Sequence, residues 1–433
     1  MSKEIDEDRL TKLDPWEVLF VTLSAFLNDL DCIGEMVSLV LPVLQSKDEE
    51  RSLRIKEVSE EIQTEKGQGI RFKSFQDIKE FASHIRKMRR GDMMFRQAII
   101  ITIVSKYDEF FSGVLRVSYE QNPGWLKNVE KKISYKDVME IVSLEAFKDE
   151  IIYKEIESLM RDSHFNQISF IDTKLKLGII DNFPFWKDFL EITERRNLFA
   201  HTGGTVSSDY INNCKKFNIP INEKIKEDSY LSASDLYIKK SIDIFYELAQ
   251  RIVQASVRRL FPDSLEEADK SLNNKSVDLL IEERWGLAER MFQFAMNIPE
   301  VLVSKGEMKY YFLINLCIAL KYQEKPFEQL LHSIDWTPFH PKYHFAIAVL
   351  ENKFELAETL MKSPAVREEL TEQYCKEWPL LREFRNTEGF LRAFKEIYNK
   401  DFSEEIFEDA EKEIKTQQDE EGNSDFVNSP LNE

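Results

Sequence analysis

The stretch AIIITIVSKYDEFFSGVLRV, residues 98–117, decides the fold class. Phe110, Val114 and Val117 carry its apolar stripe onward at helical spacing, and no breaker interrupts the pattern from Met93 to Tyr119. One long buried helix is the reading. Outward from it, Asp14-Pro15-Trp16-Glu17 reads as a capped helix start, with Pro at the first helical position and Glu at the third. Apolar residues then recur from Val18 through Phe26, Leu27, Leu30 and Ile33 to Leu44. With only 13 Gly and 13 Pro in 433 residues, the chain lacks the tight turns of an all-β sandwich. The expected class is all-α.

Towards the C-terminus, SKDEERSLRIKE and EKGQGIRF read as loops or helix ends, and QNPGWLKNVEKKIS as a loop. Helical patterns follow at 135–161 and 164–178. After Asn182-Phe183-Pro184 a further helix covers Phe185 to His201, stopped by Gly203-Gly204, and another spans 232–260. The segment PDSLEEADKSLNNKS reads as a linker. Beyond it, GLAERMFQFAM, KYYFLINLCIALKYQ and YHFAIAVLENKFELAETLMK suggest paired short helices. Ala346, Ala348, Leu350, Ala357 and Leu360 show a small-and-large alternation that resembles an α-solenoid of tetratricopeptide (TPR-like) type. The expected division is an N-terminal helical segment 1–88, a helical domain 89–260, a hairpin-repeat region 261–402 and an acidic disordered tail 403–433.

The net charge of −19 argues against a protein that coats nucleic acid or an anionic membrane. The charge is uneven: residues 401–433 hold about −10 of it and residues 91–260 about −1. Contact with a few phosphates in the middle of the chain therefore stays open. Arg86, Lys87, Arg89, Arg90 and Arg96 lie close together in HIRKMRRGDMMFR, as a solvated helix face or as an RNA-facing rim. Cys32, Cys214, Cys317 and Cys375 are widely spaced, and MSKEIDEDRL lacks the apolar core of a signal peptide. A cytoplasmic protein without a membrane span is expected.

No P-loop, GxGxxG, HExxH or GxSxG pattern is present. His340 and His344 are four apart, but without further ligands a metal site is not expected, nor is a cofactor. The segment Glu194-Arg195-Arg196-Asn197-Leu198-Phe199-Ala200-His201 differs. It ends an amphipathic helix whose Trp186, Phe189 and Leu190 supply a buried face. Asn197 and His201 share one helical face, and Arg196 lies about 100° round from Asn197. A cation, an amide and an imidazole at an exposed helix end suit a phosphodiester. The structural alternative pairs Arg196 with Glu191, Glu194 or another carboxylate, while His201 serves the helix C-terminus.

Arg196-Asn197 to His201 resembles the R-x4–6-H motif of the HEPN superfamily of small helical domains. Residues 90–258 can be read as that bundle, and the following Gly203-Gly204-Thr205-Val206 and Asp209-Tyr210-Ile211 resemble the tail of bacterial members. The resemblance implies a metal-independent endoribonuclease with Arg196 and His201 catalytic and Asn197 orienting the scissile phosphate or the imidazole. The 2′-OH of RNA attacks, leaving 2′,3′-cyclic phosphate and 5′-hydroxyl ends. It also implies a homodimer that brings two motif copies into one cleft, and a role as a toxin or abortive-infection effector in antiviral defence. Asp108 or Glu109 would hold Arg195 or Arg196. A protein trigger or antitoxin would be held by the C-terminal region. The competing reading is a non-catalytic dimeric helical scaffold whose C-terminal repeats hold a protein partner.

Overall fold

The computed structural model describes residues 13–64, 67–72, 74–128 and 143–403. Helices of eight residues or more are numbered. The chain runs α1 (Pro15–Val58), β1 (Ser59–Thr64), β2 (Gly67–Phe72), α2 (Phe75–Gln121), α3 (Leu144–Met160), α4 (His164–Leu175), α5 (Trp186–Thr202), α6 (Ser208–Lys216) and α7 (Asp235–Leu260). There follow α8 (Leu265–Ile281), α9 (Trp285–Met296), α10 (Met308–Lys321), α11 (Pro341–Leu350), α12 (Phe354–Met361) and α13 (Glu388–Tyr398).

The all-α expectation holds with one addition. The GQGIRF part of the expected loop is a strand: Gly67–Phe72 pairs antiparallel with Ser59–Thr64, Ser59 opposite Phe72 and Thr64 opposite Gly67, while Glu65 and Lys66 lie outside the described residues. SKDEERSLRIKE continues α1 rather than ending it. The expected linker PDSLEEADKSLNNKS is a 3-10 turn at Pro262–Ser264 followed by the first part of α8. Ala268 and Leu272 are buried, Glu266 and Lys270 are exposed, and the buried Asp269 lies 2.7 Å from Arg258 Nη1, so the polar stretch has an inward helical face. The helical pattern at 135–161 is described from Leu144 on, and residues 129–142 lie outside the described residues. So do 404–433, nearly all of the tail.

Two compact units are present: residues 1–272 with 298–306, and 273–297 with 307–433. The boundary expected at residue 88 falls inside α2, which runs unbroken through it. α1 belongs to the first unit, packed against α2 and α7. Asp14 anchors its start: the backbone N–H donates to Glu17 Oε2 (2.7 Å), and its carbonyl accepts from Val18 N (3.1 Å). The close approach of α1 and α2 depends on Gly113, where a Cβ would lie 2.9 Å from Thr22 Cγ2.

The first core is aromatic. Tyr107 of α2, Phe189 of α5 and Phe245 of α7 are fully buried and meet edge to face, with ring centres 5.2–5.4 Å apart. Phe26 of α1 stacks on Phe110 at 5.0 Å. In the second unit α9 packs on α10, and α11 on α12, as successive helix pairs. There Trp336, Phe339 and Tyr343 cluster, and Phe345 and Phe384 fill the interior. No helix among the described residues is long and apolar enough to cross a membrane.

Candidate functional site

α5 carries the Arg196–His201 segment because one face is apolar and its end is forced. Trp186, Phe189, Leu190, Ile192, Leu198 and Phe199 are buried, so the register of the helix is set by the core. The C-terminus is closed by two glycines at positive φ. Gly203 has φ 61° and Gly204 φ 94°, and the Gly204 N–H donates back to Leu198 O at 3.2 Å. At Gly204 a Cβ would lie 2.7 Å from Leu231 O and 2.9 Å from the Tyr230 ring, so glycine is required by both conformation and space.

The two arginines have different partners. Arg195 donates through Nε to Glu191 Oε1 (2.8 Å) and through Nη1 to Ser232 O (2.9 Å), and it lies over the Tyr237 ring at 4.3 Å. Glu191 also accepts from the hydroxyls of Tyr210 (2.8 Å) and Tyr237 (2.7 Å). Burial first, and the Glu191 charge second, push both tyrosines well above the usual phenol range. Arg195 is thus a fully engaged structural cation.

Arg196 donates through Nη2 to Asp108 Oδ2 at 3.2 Å, across to α2. The other oxygen of Asp108 lies 2.9 Å from Nε2 of His164, a buried residue at the first position of α4. Three helices therefore meet at one carboxylate. The Nε of Arg196 is buried with no hydrogen bond. Glu194 is taken by Asn213 Nδ2 (2.9 Å), and Glu109 by Lys106 (3.1 Å).

Of the carboxylates considered for the two arginines, Asp108 pairs with Arg196 and Glu191 with Arg195. His164 was missed. Its signal was weak: a histidine directly after a Ser N-cap, far from the motif in sequence.

Asn197 is half-buried, and His201 is exposed in the last turn of α5. Five residues of helix separate Arg196 from His201, about 140° of rotation and about 7.5 Å of rise along α5.

No protein-family model, curated protein or solved structure matches the chain.

The arginine-rich rim is corrected in part. Arg86 and Arg90 are exposed on α2, but Arg96 is half-buried between carboxylates, bonded to Asp92 Oδ1 (2.8 Å), to Asp235 and to Ala233 O (3.2 Å). The side chains of Lys87 and Arg89 lie outside the described residues. His340 and His344 do not act together: His340 caps α11, accepting from Lys342 N, and His344 Nε2 lies 2.8 Å from Trp336 O. No cluster of metal-ligating residues occurs among the described residues.

Proposed function

We propose that the chain is a metal-independent endoribonuclease of HEPN type, acting as a homodimer through the Arg196–His201 segment. The observation that supports this most is the contrast along α5: an exposed imidazole at a glycine-closed helix end, one and a half turns beyond a guanidinium oriented by a carboxylate. His201 has no hydrogen-bonded partner among the described residues, so its ring is free to exchange protons with a substrate. Asp108 engages only Nη2 of Arg196, and the guanidinium remains partly exposed, 23% by side chain. Its remaining face can meet phosphate oxygens, with the fork fixed in advance.

The chemistry is a transesterification. One His201 removes the 2′-OH proton, the 2′-oxygen bonds to phosphorus, and the bond to the 5′-oxygen breaks as a second His201 protonates it. Because one imidazole cannot be base and acid in a single step, the second belongs to another copy of the chain. Asn197, on the face of His201, orients the phosphate or the ring. Such an enzyme suits a toxin or an abortive-infection effector against phage.

A second reading has its own support. The C-terminal unit holds a cavity of about 460 Å³ lined by Asn273, Asn315, Tyr311, Lys342, Tyr374 and Trp378. A scaffold would place a partner there, and a nuclease a trigger or antitoxin.

The test is incubation of the full chain with mixed RNA in chelator, followed by analysis of the ends. Cyclic phosphate and 5′-hydroxyl ends are expected, with a mass in light scattering twice that of one chain. Intact RNA from a dimeric chain leaves the scaffold reading.

A further inference from the structure

α1 is apolar on two faces. Leu30, Ile33, Val37 and Leu41 are buried, and the helix packs against α2 and α7. On another side Met36, Leu39 and Val43 stand 52%, 71% and 58% exposed, and Cys32 is exposed one turn before them. A surface helix ordinarily carries one apolar stripe with polar residues opposite. Exposed apolar residues scattered singly need no explanation, but these four repeat in order.

Their intervals are four, three and four residues, the spacing of a two-stranded helical seam. Met36 and Val43 then take its a positions, and Cys32 and Leu39 its d positions. A β-branched residue at a with Leu at d favours parallel pairs of helices. No charge falls on the line. It is bounded by Asp29, which pairs with Lys106 of its own chain (3.2 Å), and by Ser46. Of the flanking positions that face each other across a parallel seam, Glu35 meets Val40 and Pro42 meets Lys47, so no like charges are opposed.

The seam runs toward the motif. Gln45, two residues past Val43, donates to Asp235 Oδ2 (3.2 Å), and Asp235 accepts from Arg96. The next residue, Gln97, donates through Nε2 to Gly203 O (2.8 Å) and to the Tyr230 hydroxyl (3.1 Å), closing a cavity beside the glycine turn. Side chains thus tie the C-terminal end of the seam to the turn two residues past His201.

We propose that Cys32, Met36, Leu39 and Val43 of α1 form the contact on which two copies of this chain pair, parallel, about a two-fold axis running along the helix. The parallel sense follows from the place of the motif. Antiparallel pairing about the middle of the line sets the two copies of Gln45 about 22 Å apart along the axis, with the motifs at opposite ends. Parallel pairing sets them at one level, on helices about 8–10 Å apart, with both motifs at the same end. The need for two motifs in one cleft rests on the ribonuclease reading above; the self-matching seam does not.

The test uses the full chain. Light scattering should give twice the mass of one chain for the parent and the mass of one chain for Leu39→Glu, which sets two carboxylates against each other. Leu39 is already reached by solvent, so circular dichroism should show the same helix content in both. Mild oxidation of the parent should join two chains through Cys32, because Cys214, Cys317 and Cys375 are buried, and Cys32→Ser should prevent it. A parent of single-chain mass, or a Leu39→Glu chain that stays double, overturns the seam. If Leu39→Glu loses helix content, the oxidation decides: a double-mass parent without a Cys32 link overturns the seam, since antiparallel copies of Cys32 lie about 16 Å apart along the axis. With the seam broken, Leu39→Glu should also lower cleavage about 10²–10⁴-fold, the share of the missing imidazole. Undiminished cleavage by a single-mass Leu39→Glu chain removes the two-imidazole mechanism and keeps the pairing. A seam that holds in a chain that cuts no RNA removes the nuclease and keeps the pairing. Cleavage by a Leu39→Glu chain that stays double removes the seam and keeps the nuclease.

Discussion

Arg196 is turned inward to a carboxylate 88 positions back in the chain, whereas His201, five residues later on the same helix, is exposed at the last turn. The arginine is held by three helices meeting at Asp108; the histidine is held by one helix end and two glycines. A group fixed by tertiary contacts cannot be removed without stranding its partners. A group presented by local backbone can be removed with little effect on the fold. The division suits a site in which one residue must stay in place while the other moves a proton.

The sharpest way to break the contrast is at its exposed end. His201→Ala should lower the cleavage rate about 10²–10⁴-fold while leaving the unfolding midpoint unchanged, because nothing packed is lost. A large fall in midpoint would make His201 structural and erase the difference between the two ends.

Closing the helix is the next lever. Gly204→Ala forces a Cβ at φ 94° against Leu231 O, which should cost about 1–3 kcal/mol in denaturant unfolding. It should also displace His201 and reduce cleavage. Normal stability would show that the turn has room to shift.

At the buried end, Asp108→Ala removes the acceptor shared by Arg196 and His164. Asp108 is 30% exposed, so water screens part of the loss, and a cost of about 1–2 kcal/mol is expected in the same assay. No change at all would mean that the three-helix junction contributes only position.

The smallest effect lies in the core beneath. The Tyr107 hydroxyl is fully buried without a hydrogen bond, and burial holds its pKa well above the usual phenol value. Tyr107→Phe removes an unsatisfied group and keeps the ring contacts to Phe189 and Phe245. Thermal melting should show equal or slightly higher stability, by up to about 1 kcal/mol. A marked loss would reveal a partner for the hydroxyl.

Much of the fold is legible in the sequence because it is local. The cap at Asp14-Pro15-Trp16-Glu17 is satisfied within one turn of helix, and the stop at Gly203-Gly204 is written in residues that tolerate positive φ. The stripe through Phe110, Val114 and Val117 shows its period in the chain itself, and each of the three is buried. What was misread involved context. Gly67–Phe72 forms a strand because Ser59–Thr64 lies antiparallel to it, and Arg96 leaves the basic rim for Asp92, Asp235 and Ala233 O.

The residues of this chain determined by themselves that it is mainly helical, where several of its helices begin and end, and that Arg196, Asn197 and His201 lie on one helix near its C-terminus. Tertiary structure alone decided that Arg196 faces Asp108, that His164 shares that carboxylate, and that Gln97 and Tyr230 close a cavity beside the glycine turn. The physical reason is distance along the chain. Caps, periodicity and glycine conformations are settled over a few residues, where sequence and geometry are nearly the same thing. A hydrogen bond between positions 108 and 196 exists only after the packing of large apolar side chains has set the relation of two helices, and no local pattern encodes that relation.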